Sequence, residues 1–172
     1  MRIMIFGRPG SGKTTAAHQL SSKLGIPCFH LDKIFYTSNW SPRPYDLFLT
    51  DLIHWVQSEH WIIDGNNSAS FDTRWAASDI VIYFNFPVWI CLARVFKRYL
   101  RGRLLPTDDR APGCHETIRW NLISYILRFD SRILPKIQEM KQRYPTIQFM
   151  EVTHDETWAL FEESLVALAR SI

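Results

Sequence analysis

The stretch Gly7-Arg8-Pro9-Gly10-Ser11-Gly12-Lys13-Thr14 has the spacing G-x-x-x-x-G-K-[ST], and each fixed position has a chemical reason. Glycines at 7, 10 and 12 let the backbone curl until successive N–H groups point at phosphate oxygens. Lys13 has the reach for β- and γ-phosphates, and the Thr14 hydroxyl suits Mg²⁺. A helix opening at this point adds its positive end to the same anion. Pro9, Ser11 and Thr15 complete the expected nucleotide lining. By chance the pattern arises in somewhat under ~1% of chains this long. ATP with Mg²⁺ is the expected ligand pair.

Two acidic residues follow predicted strands. In open parallel sheets ligands gather beyond the carboxyl ends of the strands, so both are site candidates. Asp64 follows Trp61-Ile62-Ile63, where a carboxylate can hold Mg²⁺ with Thr14 or take the proton of a phosphoryl acceptor. Asp32 follows Cys28-Phe29-His30 and could bind the acceptor hydroxyl. Which of the two is the base stays open at this level, and either could instead be a turn or cap residue. Asp79 precedes its strand and reads as a turn residue on the opposite edge.

A third group is cationic. Arg94, Lys97, Arg98 and Arg101 recur at i, i+3, i+4 and i+7, and Arg103 and Arg110 extend them; from 94 to 110 six basic residues face two acidic ones. Guanidinium groups stabilise charge spreading over a transferring phosphoryl group, and a mobile basic lid excludes water. Arg94 and Arg98 are the leading catalytic candidates because a helix fixes them. Arg74 is placed to reach an anionic or polar acceptor or to form a surface ion pair. Phe35, Tyr36 and Trp40 follow Asp32 and could stack on a planar acceptor. His18, His30 and His115 lack metal-ligand spacing.

These groups need a scaffold, and the hydrophobic pattern predicts one. Ile3–Phe6 is a continuous apolar run, as in a strand buried on both faces. Helical periodicity follows from 14 to 24, closed by Gly25. A second strand covers 28–30, and 36–44 reads as a loop. A helix over 45–56, a strand over 61–63, a short helix near 71–77 and a strand over 80–84 come next. The helix from Val88 has one apolar side (Val88, Cys91, Leu92, Val95, Phe96, Tyr99, Leu100). Residues 101–114 read as an exposed loop, followed by a long helical segment from about 116 that Pro135 should kink or divide. Ile147, Phe149 and Val152 suggest a fifth strand. Thr153 and Glu156 have capping-box spacing for a last helix. Strands alternating with helices imply an α/β fold with a parallel sheet in one domain over 1–172.

Composition excludes several classes. The chain has 172 residues, 47% hydrophobic and 22% charged, with 20 Lys+Arg against 17 Asp+Glu, which gives no global case for nucleic acid or membrane. Cys28, Cys91 and Cys114 form no metal or redox spacing. The first strand starts at Arg2, and no apolar run approaches membrane-spanning length. A cytoplasmic protein without a membrane partner is expected.

The chain resembles small P-loop kinases of the adenylate-kinase type, and more narrowly the DNA topology modulation (FlaR-type) proteins. The matching stretches are GRPGSGKTT at 7–15, HLD at 30–32, WIIDGN at 61–66, RW at 74–75 and FPVWICLARVFKRYLRGR at 86–103. The resemblance implies a three-layer fold with a five-stranded sheet of order 2-3-1-4-5, an acceptor region at about 32–60 and a short lid at about 98–115. It implies phosphate and Mg²⁺ contacts from Lys13 and Thr14, acceptor contacts from Asp32 and Arg74, and lid contacts from Arg94 and Arg98. Two departures stand out: Asn67 replaces a tyrosine found in many relatives, and the lid lacks the zinc cysteines of some nucleotide kinases.

The reading that follows is an ATP/Mg²⁺-dependent phosphotransferase for a small acceptor, with nucleosides and nucleotides among the candidates. The alternative is a nucleotide-dependent regulatory module that binds DNA or protein through its basic lid. A bare nucleoside triphosphatase is a third.

Overall fold

The computed structural model describes residues 1–37, 41–102 and 120–170. In chain order the elements are β1 (Arg2–Gly7), α1 (Lys13–Leu24), β2 (Cys28–His30), α2 (Leu31–Phe35), β3 (Tyr36–Thr37) and β4 (Ser41–Pro42). They continue with α3 (Tyr45–Val56), β5 (Trp61–Asp64), α4 (Phe71–Ala77), β6 (Ile80–Phe84) and α5 (Val88–Gly102). The last are α6 (Trp120–Leu127), α7 (Phe129–Arg143), β7 (Gln148–Val152) and α8 (Asp155–Arg170).

Five strands form one parallel sheet in the order β2-β5-β1-β6-β7. Counting only these strands, that is the expected 2-3-1-4-5. The register sets Ile3 between Ile62 and Ile80, and Phe84 beside Val152. Alternate side chains then face opposite layers. Ile3, Ile5, Ile62, Ile80 and Ile82 pack under α1, α5 and α8; Met4, Phe6, Trp61, Ile63, Val81 and Tyr83 pack under α3, α4 and α7. Both faces are covered, which is why the central strands read as unbroken apolar runs.

The structure corrects four expectations. The stretch 36–44 is not only a loop: β3 and β4 pair antiparallel, Tyr36 with Pro42 and Thr37 with Ser41. The long C-terminal helical segment divides at Arg128, not at Pro135, which lies inside α7. The break has a packing reason, since Ile126 is buried on one side of the sheet and Phe129 on the other. The apolar side of α5 is only partly covered: Cys91 and Val95 are buried, while Phe96 and Leu100 are exposed. Finally, α8 starts at Asp155, so Glu156 lies too early for a capping box with Thr153, whose hydroxyl instead meets His154 Nδ1 at 2.6 Å.

Among the described residues no helix is long and apolar enough to cross a membrane.

Candidate active site

The phosphate loop runs from the end of β1 into α1, and its shape is fixed by Asn66 and Arg94, both remote in sequence, and by the loop's own Arg8. Asn66, just beyond β5, accepts the Gly7 N–H at 3.0 Å and donates its amide to the Gly7 carbonyl at 2.7 Å. Arg8 is buried: its guanidinium donates to the carbonyls of Phe86 and Ile126, pairs with Asp130, and lies 5.8 Å from the Phe129 ring. Arg94 donates to the Ser11 carbonyl at 3.1 Å and to Asp155 at 2.7 Å, with its guanidinium 4.7 Å over Phe86. The loop also presses on α5 so closely that a Cβ at Gly10 would overlap the Cys91 carbonyl. Gly12, at φ 93°, is the left-handed residue from which α1 springs.

Below the loop, β1 and β5 lie side by side, so residues ending β5 meet the first turn of α1. The Thr14 hydroxyl donates to Asp64 Oδ2 at 2.8 Å, and His30 Nδ1 lies 3.2 Å from the same oxygen. Among the described residues Asp64 Oδ1 is buried without a hydrogen-bond partner. Burial pushes the Asp64 carboxyl upward, but Lys13 and the bonds from His30 and Thr14 outweigh it and hold the group below the ordinary carboxylate range. A hydroxyl and an ionised carboxylate with a spare buried oxygen are a donor set that fits Mg²⁺, which binds through few protein oxygens and keeps its waters and substrate phosphates. Among the described residues no group of three or more His, Cys, Asp or Glu forms a closed metal cage.

Asp32 sits in the first turn of α2, directly after β2. It is open to solvent on one side. The protein crowded around it still pushes its carboxyl above the ordinary range; Asp64 adds to this, and Lys13, His30 and Arg98 pull it back. The charges of Lys13, Asp64 and Arg98 thus converge on Asp32, although they come from α1, β5 and α5.

Other expected residues take different places. Arg74 is fully buried, donating to the Gly65 and Asn67 carbonyls at 3.0 and 2.9 Å and to the Ser70 hydroxyl at 3.1 Å. Burial pulls its guanidinium down to about 9, against the pull of Asp64 and Asp32. It braces the 65–70 loop from beneath in place of the acceptor contact the resemblance implied. Asn67 belongs to the same turn, its side chain accepting the Ser70 N–H at 2.9 Å. Arg94 is committed to the phosphate loop and Asp155. Phe35 is half-buried, edge-on to Phe48 with centroids 5.2 Å apart. Trp40 and most of the expected lid, including Arg103 and Arg110, lie outside the described residues, as does the Arg101 side chain.

Sequence reasoning gave no role to Arg8, His30 or Asn66. His30 and Asn66 carried a usable signal, since both stand at carboxyl ends of strands within the quoted HLD and WIIDGN stretches. Arg8 carried none, because its partners lie near residues 86 and 126–130.

Two shikimate kinases are among the solved structures that share this fold. That of Bacteroides thetaiotaomicron matches with TM-score 0.55 and 16% identity, over 99% of this chain and 98% of the other. That of Acinetobacter baumannii, in complex with shikimate, matches with TM-score 0.59 and 17% identity, over 99% and 94%. The chain has the shikimate-kinase fold. At these identities the likeness carries the fold alone. No protein-family model matches the chain. One curated relative, the structure-specific endonuclease subunit slx1 of Aspergillus oryzae, is 40% identical over 43 residues. That segment is 25% of this chain and only 11% of the fungal protein's length, too small a share to carry an activity across.

Proposed function

We propose that this chain is an ATP- and Mg²⁺-dependent phosphotransferase acting on a small-molecule acceptor. The observation that carries the reading is the contact of Thr14 with Asp64 beneath a shaped phosphate loop, with the charges of Asp64 and Lys13 acting on Asp32. The fold shared with shikimate kinases supports it.

In this reading the loop N–H groups and Lys13 hold the triphosphate, with Gly7, Pro9, Gly10, Ser11, Gly12 and Thr15 lining it. Thr14 and Asp64 hold Mg²⁺, which neutralises charge on the β- and γ-phosphates when bound. Asp32, the exposed carboxylate, orients the acceptor hydroxyl and takes its proton. Arg98, whose charge acts on Asp32, stabilises charge on the transferring group, while Arg94 acts on the shape of the loop. Catalysis is then mostly positioning and electrostatics. The resemblance to topology modulation proteins adds nucleosides and nucleotides to the acceptor candidates, with Trp40 and Phe35 on the acceptor side.

The test is a pair of variants. Lys13→Ala should abolish transfer, whereas Asp32→Ala should abolish transfer and leave ATP affinity within about twofold of wild type. Loss of ATP binding in Asp32→Ala would remove its acceptor role.

A further inference from the structure

β2 and β5 run side by side, and their register sets His30 opposite Asp64 and Phe29 opposite Ile63. Alternate residues of a strand face opposite layers. Cys28 and His30 therefore share one face of β2, the face under α1, where the His18 ring lies 4.5 Å from the His30 ring. Phe29 faces the other layer and stacks on Trp55. The His30 side chain is only 8% exposed.

Both ring nitrogens of His30 have partners: Nδ1 lies 3.2 Å from Asp64 Oδ2, and Nε2 lies 3.6 Å from Cys28 Sγ. An ionised carboxylate only accepts, so Nδ1 carries the hydrogen of the first contact. Burial, with the Asp64 charge adding to it, pushes the Cys28 thiol up to about 12. The thiol keeps its hydrogen, and Nε2 accepts it. The directions then agree along the whole chain. Cys28 donates to His30, His30 donates to Asp64 Oδ2, and Thr14 donates to that same oxygen at 2.8 Å.

An aspartate carboxylate turns easily, because its χ2 torsion has a broad well. A single bond from Thr14 leaves much of that rotation open. The second bond comes to the same oxygen from β2 instead of α1. Together they fix the plane of the carboxylate, and with it the direction of Oδ1, which among the described residues has no partner.

We propose that His30 is a positioning residue, whose Nδ1–H holds Asp64 Oδ2 so that Oδ1 is presented to the Mg²⁺ that accompanies ATP. The inference rests on the phosphotransfer reading above. Hydrogen-bond partners of this kind orient a metal-ligating carboxylate, and losing one typically costs about 10–100-fold in metal affinity.

Binding is the readout, because the charge of His30 also acts on Asp32 and would disturb turnover by a second route. A non-hydrolysable ATP analogue is titrated into the full chain with Mg²⁺ and again with EDTA. The ratio of the two dissociation constants is the coupling between metal and nucleotide. In wild type Mg²⁺ should tighten the analogue about tenfold or more. His30→Ala should lose most of that ratio while its affinity in EDTA stays within about threefold of wild type. His30→Asn sets an amide N–H where Nδ1 stood and should keep the ratio within about threefold. His30→Gln sets the amide where Nε2 stood and should lose the ratio as His30→Ala does. A loss of packing alone would weaken binding in Mg²⁺ and in EDTA alike. Full metal tightening in His30→Ala or His30→Gln would overturn the proposal, and so would equal losses in His30→Asn and His30→Gln. If His30→Ala does not fold, the Asn and Gln pair decides. Wild type that binds the analogue no better with Mg²⁺ than with EDTA would remove the metal from the phosphotransfer reading and the proposal with it, a result separate from the others.

Discussion

The Thr14 hydroxyl reaches Asp64 Oδ2 at 2.8 Å, tying the first turn of α1 to the end of β5 across 50 positions of sequence. Among the described residues the contact leaves Asp64 Oδ1 buried and unpartnered, an oxygen with the chemistry of a cation ligand. Asp64→Asn keeps the shape and removes the charge. Transfer should fall about 10²–10³-fold, the usual loss when one preorganised electrostatic contact to the reacting group is removed. A Mg²⁺ titration at fixed ATP should show a raised metal requirement for the variant.

Asn66 and Gly7 make a two-way amide contact that sets where the phosphate loop begins. Asn66→Ala removes both bonds and leaves the Gly7 N–H and carbonyl without their partner. A loss of about 1–3 kcal/mol in stability is expected, read by urea unfolding. ATP affinity should fall about tenfold in the same variant, because the loop loses its preorganised curl. A variant that loses stability but binds ATP normally would limit Asn66 to a structural role.

Arg74 should behave as a brace and not as a substrate contact. Arg74→Met leaves the Gly65 and Asn67 carbonyls unpaired, a cost of about 2–6 kcal/mol at 1–3 kcal/mol for each. Denaturant unfolding should show that loss. Arg74→Lys keeps the cation but not the fork, and should recover only part of it. An Arg74→Met chain of unchanged stability that has lost acceptor affinity would reverse the assignment.

Asp32 gives a pH prediction whose sign follows from its raised pKa. A carboxyl that holds its proton more tightly when folded destabilises the fold at any pH where the unfolded group is ionised. That cost disappears as pH falls below the unfolded value near 3.9. Asp32→Asn should therefore raise the melting temperature at neutral pH while abolishing transfer. For the wild-type chain, the acid limb of kcat/KM should lie above the ordinary aspartate range, since the base must be ionised to act.

Much of this was legible in the sequence, for physical reasons. The phosphate loop is a local pattern, and unbroken apolar runs such as Ile3–Phe6 reveal doubly covered strands, so the parallel sheet could be read directly, whereas its strand order came only from the family resemblance. Asp64 was readable because position after a parallel strand has a fixed spatial meaning. The failures have a common cause. Arg8 meets Ile126 across 118 positions and Asn66 meets Gly7 across 59, and no local periodicity encodes such contacts. Arg74 misled because its exposure depends on how the 65–70 loop closes over it. Pro135 misled because a proline in a packed helix can be carried by tertiary contacts, whereas burial on both faces forced the break at Arg128.

The account stands most directly on one assay: γ-labelled ATP and Mg²⁺ incubated with the chain and a pooled small-molecule fraction, with products separated by chromatography. Wild type should label a new organic phosphate, and Lys13→Ala and Asp32→Ala should both fail to do so, with Asp32→Ala still binding ATP. Release of inorganic phosphate alone, at a rate unchanged by removing the small-molecule fraction, would contradict the account.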